Sequence, residues 1–270
     1  MMRTAAAACV LALVAGLAQG AEDVRATARG LLEKHSGAIV TVKLVLKRRV
    51  VVQGQERGSS EAQVEILGTV ISPTGLTVVA DSDSDPSSLF TNDSDGPKVD
   101  TDTSDVKLLL ADGREIQARF VLRDRDLDLA FIQPEGTDLK IPYLPLEGGK
   151  VPQPLDDVIF LYRAGKNLNR EVCVSMAQVQ VIVKKPRTFV VSEPMTALAG
   201  LGGPAFDAQG GLIGLVVLRR SPSAAADARL RGPLRGSFDM ITPVVLTVPD
   251  IKTQAAQAAE AAKATAKPAP

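Results

Sequence analysis

Acyl transfer needs a hydroxyl or thiol nucleophile, a base to take its proton, a carboxylate to orient that base, and backbone N–H groups aimed at the developing oxyanion. In this chain the stretch best suited to the last requirement is Ala199-Gly200-Leu201-Gly202-Gly203-Pro204. Its glycines and proline form a tight loop in which the backbone can approach another group closely. The nucleophiles available nearby by residue type are Ser192 and Thr196, with Cys173 further upstream. The base is the scarce component, because His35 is the single histidine. His35 closes a helical segment in which Val24, Ala28, Leu31 and Leu32 share one face, so it reads as a helix-end or packing residue. Lys184 and Lys185 are the alternative bases.

The elements that must position these residues are mostly strands. Val40, Val42, Leu44 and Leu46 alternate with Thr41, Lys43, Val45 and Lys47, the period of a half-buried strand. Val64–Ile71 and Leu76–Ala80 flank a Ser72-Pro73-Thr74-Gly75 turn, and Val106–Leu110 and Glu115–Leu122 flank an Asp112-Gly113 turn. A second series of strands is expected over 157–162, 171–183, 188–191, 204–206, 212–218 and 240–248. Pro204–Phe206 and Leu212–Leu218 enclose the turn 207–211 as a hairpin.

Three ordered segments carry a resemblance to the trypsin-like serine peptidases, and in particular to the HtrA/Deg type. There the nucleophile loop reads Gly-Asn-Ser-Gly-Gly-Pro before a hairpin ending Val-Ile-Gly, similar to Ala199–Pro204 and Leu212-Ile213-Gly214 here. The family's Ile-Ser-Pro-Asp-Gly turn and following strand, which end in the general-base histidine, resemble Ile71–Gly75 and Leu76–Ala80. The family's Asp-Leu-Ala segment is similar to Asp128-Leu129-Ala130, which puts its catalytic aspartate at Asp128. By the same alignment Ser82 stands at the general-base position and Leu201 at the nucleophile. The resemblance implies an all-β fold, a trypsin-like double β-barrel of two six-stranded units preceded by a short helix. It implies an oxyanion-loop frame at Ala199, Gly200, Gly202 and Gly203, with no intact catalytic residue set and no cofactor. Glu193 falls where the family places pocket-lining residues. The expectation is a catalytically dead member whose former cleft binds a peptide or protein. The alternatives are a hydrolase with a non-standard site and a calcium-stabilised exported binding protein.

The domain plan that follows is a signal peptide over 1–20, a helix over 21–36, a first barrel over 37–135, a linker over 136–155, a second barrel over 156–250 and a disordered tail over 251–270. Residues 1–20 combine Arg3, an apolar run from Ala5 to Leu17, and small residues at Ala18 and Gly20. They predict a secreted or periplasmic protein with no stable membrane insertion after cleavage. No peptide-binding PDZ module is expected after the second barrel. Residues 81–105 hold eight aspartates against one lysine and read as an acidic solvated loop, an insertion expected to lie over the cleft. Within it Asp81, Asp83 and Asp85 alternate as in a calcium loop, but Pro86 replaces the turn glycine and Asn92 the closing glutamate. Lys+Arg and Asp+Glu balance at 31 each, which gives no global field for nucleic acid.

Overall fold

A computed structural model describes residues 23–52, 55–85, 98–136, 138–220 and 241–266. The 1–20 signal segment therefore lies outside the described residues. Helix α1 (23–35) leads into β1 (Ile39–Val52), β2 (Gln55–Val70), β3 (Thr77–Ala80), a single turn of helix α2 (Asp81–Ser84), β4 (Lys98–Leu109), β5 (Glu115–Asp124) and β6 (Leu129–Pro134). These six strands close into a barrel in the order β1-β2-β3-β6-β5-β4. The second unit contains β7 (Asp157–Arg163), β8 (Val172–Gln178), β9 (Val181–Val183), β10 (Phe189–Val191), helix α3 (Pro194–Ala199), β11 (Pro204–Asp207), β12 (Leu212–Arg220) and β13 (Ile241–Thr247). Its order is β8-β7-β11-β12-β13-β10-β9. This unit is a half-barrel, so the all-β double-barrel fold expected from the sequence is the one found, with seven strands in the second unit in place of the six expected. The single expected strand 171–183 is split into β8 and β9, which lie at opposite edges of the sheet.

The alternation read from the sequence is the packing of the first barrel. Val40, Val42, Leu44 and Leu46 point into one core with Val79, Leu108, Ala130 and Ile132. The described residues of the expected linker contribute to the cores through Ile141 and Leu144.

Two expectations are corrected. The acidic loop is shorter than 81–105, because Asp81–Ser84 is helical and the chain is a strand again from Lys98. The cause is charge matching at period two: in the antiparallel register Lys47 faces Asp102 and Arg49 faces Asp100, so opposite charges lie cross-strand. The tail is not disordered over 251–266, since Val248–Ala266 forms helix α4. Ile251, Ala255 and Ala258 bury one face of it against residues of both barrels, including Leu127, Phe131, Leu215 and Leu246. Small alanines let this helix sit close, and packing of one face stabilises it more than intrinsic propensity does. Among the described residues no helix is long and apolar enough to cross a membrane.

Candidate functional site

The strand β3 ends at Ala80, and the chain turns into α2 so that Ser82 meets the loop before β6. Asp128 there adopts φ +56°, a left-handed conformation that aspartate tolerates better than most residues. Its carboxylate accepts from Ser82 N at 2.7 Å, Ser82 Oγ at 3.0 Å and Leu218 N at 2.6 Å. Ser82 and Asp128 are both buried. Burial pushes the Asp128 carboxyl up to about 6, against the pull of the three donors. A hydroxyl thus occupies the site on Asp128 where proton transfer would require an imidazole.

Leu201 is buried in the core cluster that also holds Ala80 and Leu218, the neighbours in sequence or contact of Ser82 and Asp128. Ser82 and Asp128 are thus in direct contact, and Leu201 shares a core with residues next to them and lines the cleft between the two units. A cavity of about 380 Å³ opens there. The first barrel contributes Thr41, Leu67 and Asp83 to its lining, and the second contributes Arg163, Leu198 and Leu201.

The glycine loop is satisfied internally. Glu193 caps α3 by accepting from Met195 N and Thr196 N, with Pro194 at the start of the helix. Both features favour a helix beginning here, and it runs into the loop. As a result Gly200 N donates to Ala197 O at 3.0 Å and Leu201 N to Leu198 O at 3.3 Å. Gly202 N donates to Val216 O at 2.8 Å and Gly203 N to Gly200 O at 2.7 Å. Thr69 Oγ1 donates to the Gly202 carbonyl at 2.9 Å. Of the frame read from sequence, Ala199 lines the cavity, while the amides of Gly200, Gly202 and Gly203 already have acceptors. Glu193, expected among pocket-lining residues, acts as a helix cap.

The alternative nucleophiles lie in unhelpful surroundings. Ser192 is buried and its Oγ has no partner among the described residues. Thr196 Oγ1 donates to Glu193. Cys173, half-buried on β8, has Sγ 3.8 Å from the Glu171 carbonyl. His35 stacks on Phe206 with ring centroids 5.7 Å apart, and burial, with Lys34 nearby, lowers its pKa. It is a packing residue, as its helix-end position suggested.

The three aspartates of α2 and the residue that follows it diverge. Asp81 pairs with Arg123 at 2.5 Å, Asp85 pairs with Arg125 at 3.1 Å, and Asp83 faces the cleft cavity. Among the described residues no group of three or more His, Cys, Asp or Glu side chains could hold a metal ion. Sequence reasoning groups Asp83 with the acidic loop, whereas the structure places it in the lining of the cavity. The available signal was its place next to Ser82 at a buried strand end. Burial first, and the nearby Asp128 charge second, push the Asp83 carboxyl up to about 7.

These shifts have a consequence for stability. A carboxyl whose pKa is higher folded than unfolded binds protons more tightly in the folded state. The contribution of Asp83 and Asp128 is therefore fully present below about pH 4 and is lost as pH rises through about 6 to 7. His35 acts oppositely, removing stability as pH falls below its usual 6.5. In urea titrations across this range, Asp83→Asn is expected to flatten the loss at high pH and to gain about 1–3 kcal/mol near pH 8. Equal stability of the two proteins at that pH would refute the assignment.

A family model described as a trypsin-like peptidase domain matches residues 36–215, two thirds of the chain. No curated protein matches it. The match spans the closed barrel, the cleft, the glycine loop and the first part of β12, and the chain belongs to the trypsin-like peptidase domain family.

Proposed function

We propose that this protein is an exported, catalytically silent trypsin-like domain of HtrA/Deg type, which binds a polypeptide along its cleft without cutting it. The observation that carries the reading is the Ser82–Asp128 pair, a hydroxyl bonded to the carboxylate at 3.0 Å, together with a buried Leu201 in the glycine loop. A serine hydroxyl cannot shuttle a proton near neutral pH as an imidazole does, and leucine offers no nucleophile. The internal bonds of Gly200 and Leu201 add a second obstacle, since their N–H groups are spent on the end of α3. What persists is a cleft lined by residues of both units, the kind of place where ligands bind.

The test is turnover of casein and fluorogenic peptides together with labelling by a serine-directed phosphonate. The wild-type protein is expected to show neither. The double variant Ser82→His/Leu201→Ser is expected to remain at least about 10³-fold below a working peptidase, because the triad acts with its oxyanion donors as a unit. Robust turnover or labelling of the wild-type protein overturns the reading.

A further inference from the structure

We propose that the end of the second unit beside the start of α4 is a binding site for a small carboxylate carried on an alkyl body. The site is separate from the cleft and does not rest on the reading above.

A cavity of about 420 Å³ lies there, walled by the 146–151 segment and by residues at or next to the ends of β10, β12 and β13. It shares no lining residue with the cleft cavity. Side chains alternate along a strand, and Val190 and Val245 belong to one core of the second unit. Thr188, two residues before the first, and Thr247, two residues after the second, are therefore directed to that same interior face. Phe189 pairs with Leu246 in antiparallel register, which sets the two threonines side by side at its end, where both line the cavity.

Thr247 is only 5% exposed, yet its hydroxyl makes no hydrogen bond among the described residues. It stands at the N-cap position of α4, where a threonine accepts from an amide two or three residues on. Two residues on is Pro249, which has no N–H. A buried hydroxyl without a partner is costly and rare, so Thr247 takes its partner from whatever occupies the cavity.

The charges around it favour an anion. Lys150 and Lys252 are exposed in the lining, and neither has an ion-pair partner among the described residues. The first turn of α4, a helix of 19 residues, adds the positive end of its dipole. Asp250 in that turn is paired with Arg187 at 3.4 Å, and Glu147, the one acid in the lining, is exposed. Leu146, Val151, Ile213 and Val248 supply apolar walls. A cation would meet two ammonium groups, an alcohol would leave both without a counter-charge, and a bare inorganic anion would leave the walls uncovered. A carboxylate on an alkyl body suits lysines, hydroxyl and walls together.

Sodium hexanoate, 1-hexanol and inorganic phosphate are titrated separately into the isotope-labelled full chain at neutral pH. Amide shifts of residues 147–151, 188, 213, 247, 248 and 250–252 report binding. Hexanoate is expected to bind at least about tenfold more tightly than either other probe. The double variant Lys150→Gln/Lys252→Gln is expected to bring hexanoate down to the level of hexanol. Thr247→Val is expected to weaken hexanoate about threefold or more while hexanol binding is kept. Lys184→Gln, outside the cavity, is expected to bind hexanoate as the wild type does. Because both lysines of the double variant are surface residues, it keeps the test decisive if Thr247→Val does not fold. The assignment is overturned if hexanoate causes no shift, or if hexanol or phosphate binds as tightly. It is also overturned if the double lysine variant or a folded Thr247→Val binds hexanoate unchanged, or if Lys184→Gln loses as much as the double variant.

Discussion

Asp128→Ala is expected to destabilise the fold by about 3 kcal/mol, measured as a lower urea midpoint at unchanged slope. The carboxylate accepts three buried donors: Ser82 N and Ser82 Oγ from the first barrel and Leu218 N from β12 of the second. Its removal orphans two backbone N–H groups at about 1–3 kcal/mol each. The raised pKa sets a limit on the loss, since a carboxyl shifted up to about 6 is itself penalised by burial and its deletion returns part of that cost. Asp128→Asn keeps an oxygen acceptor and is expected to lose less than the alanine variant. An alanine variant that unfolds at the wild-type urea concentration would sink the view that Asp128 now serves as a bracket between barrels.

Gly203→Ala is expected to cost about 3 kcal/mol or more, through overpacking that the surroundings cannot relieve. A Cβ at this position would stand 2.5 Å from the Leu161 carbonyl oxygen and 2.9 Å from that of Gly200. Both are backbone atoms, and Leu161 belongs to β7, held between β8 and β11, so no side chain can swing aside. Gly200→Ala is the control, because its nearest neighbour beyond the adjoining residues would be at 3.6 Å. That variant is expected to fall within about 0.5 kcal/mol of wild type. Equal melting temperatures for the two variants would contradict the account. The comparison also explains why a Gly-Gly pair persists in a loop whose amides are spent: Gly203 is required by the crossing of β7, and Gly202 by its φ of +81°.

The barrel strands were legible because their side chains alternate and their turns carry Pro-Thr-Gly and Asp-Gly signals. The Ser82–Asp128 contact was legible only through the family's order of motifs, since 46 residues separate the two in sequence. Helix α4 was hidden by composition. Its buried stripe consists mainly of alanines, Ala255, Ala258 and Ala262 after Ile251, and alanine contributes little contrast between helix faces. The closure of the glycine loop depends on where α3 stops. Glu193-Pro194 was a readable start signal for that helix, but nothing local marks the point at which its last amides turn back on their own carbonyls. Asp83 was misplaced because a run of aspartates looks uniformly solvated, whereas the fold gives each member of Asp81, Asp83 and Asp85 a different surrounding.

The two flanking helices each join the units. Ala28 and Leu31 of α1 share a core with Ile39 of the first unit and Ile159, Leu161 and Phe206 of the second, and α4 packs on Leu129 and Phe131 of the first and Leu215 and Leu246 of the second, with Arg119 Nη2 donating to Ala262 O. Because each helix buries apolar residues of both units at once, loss of either one uncovers two cores together, so the helices act as clasps between the units as well as covers on them.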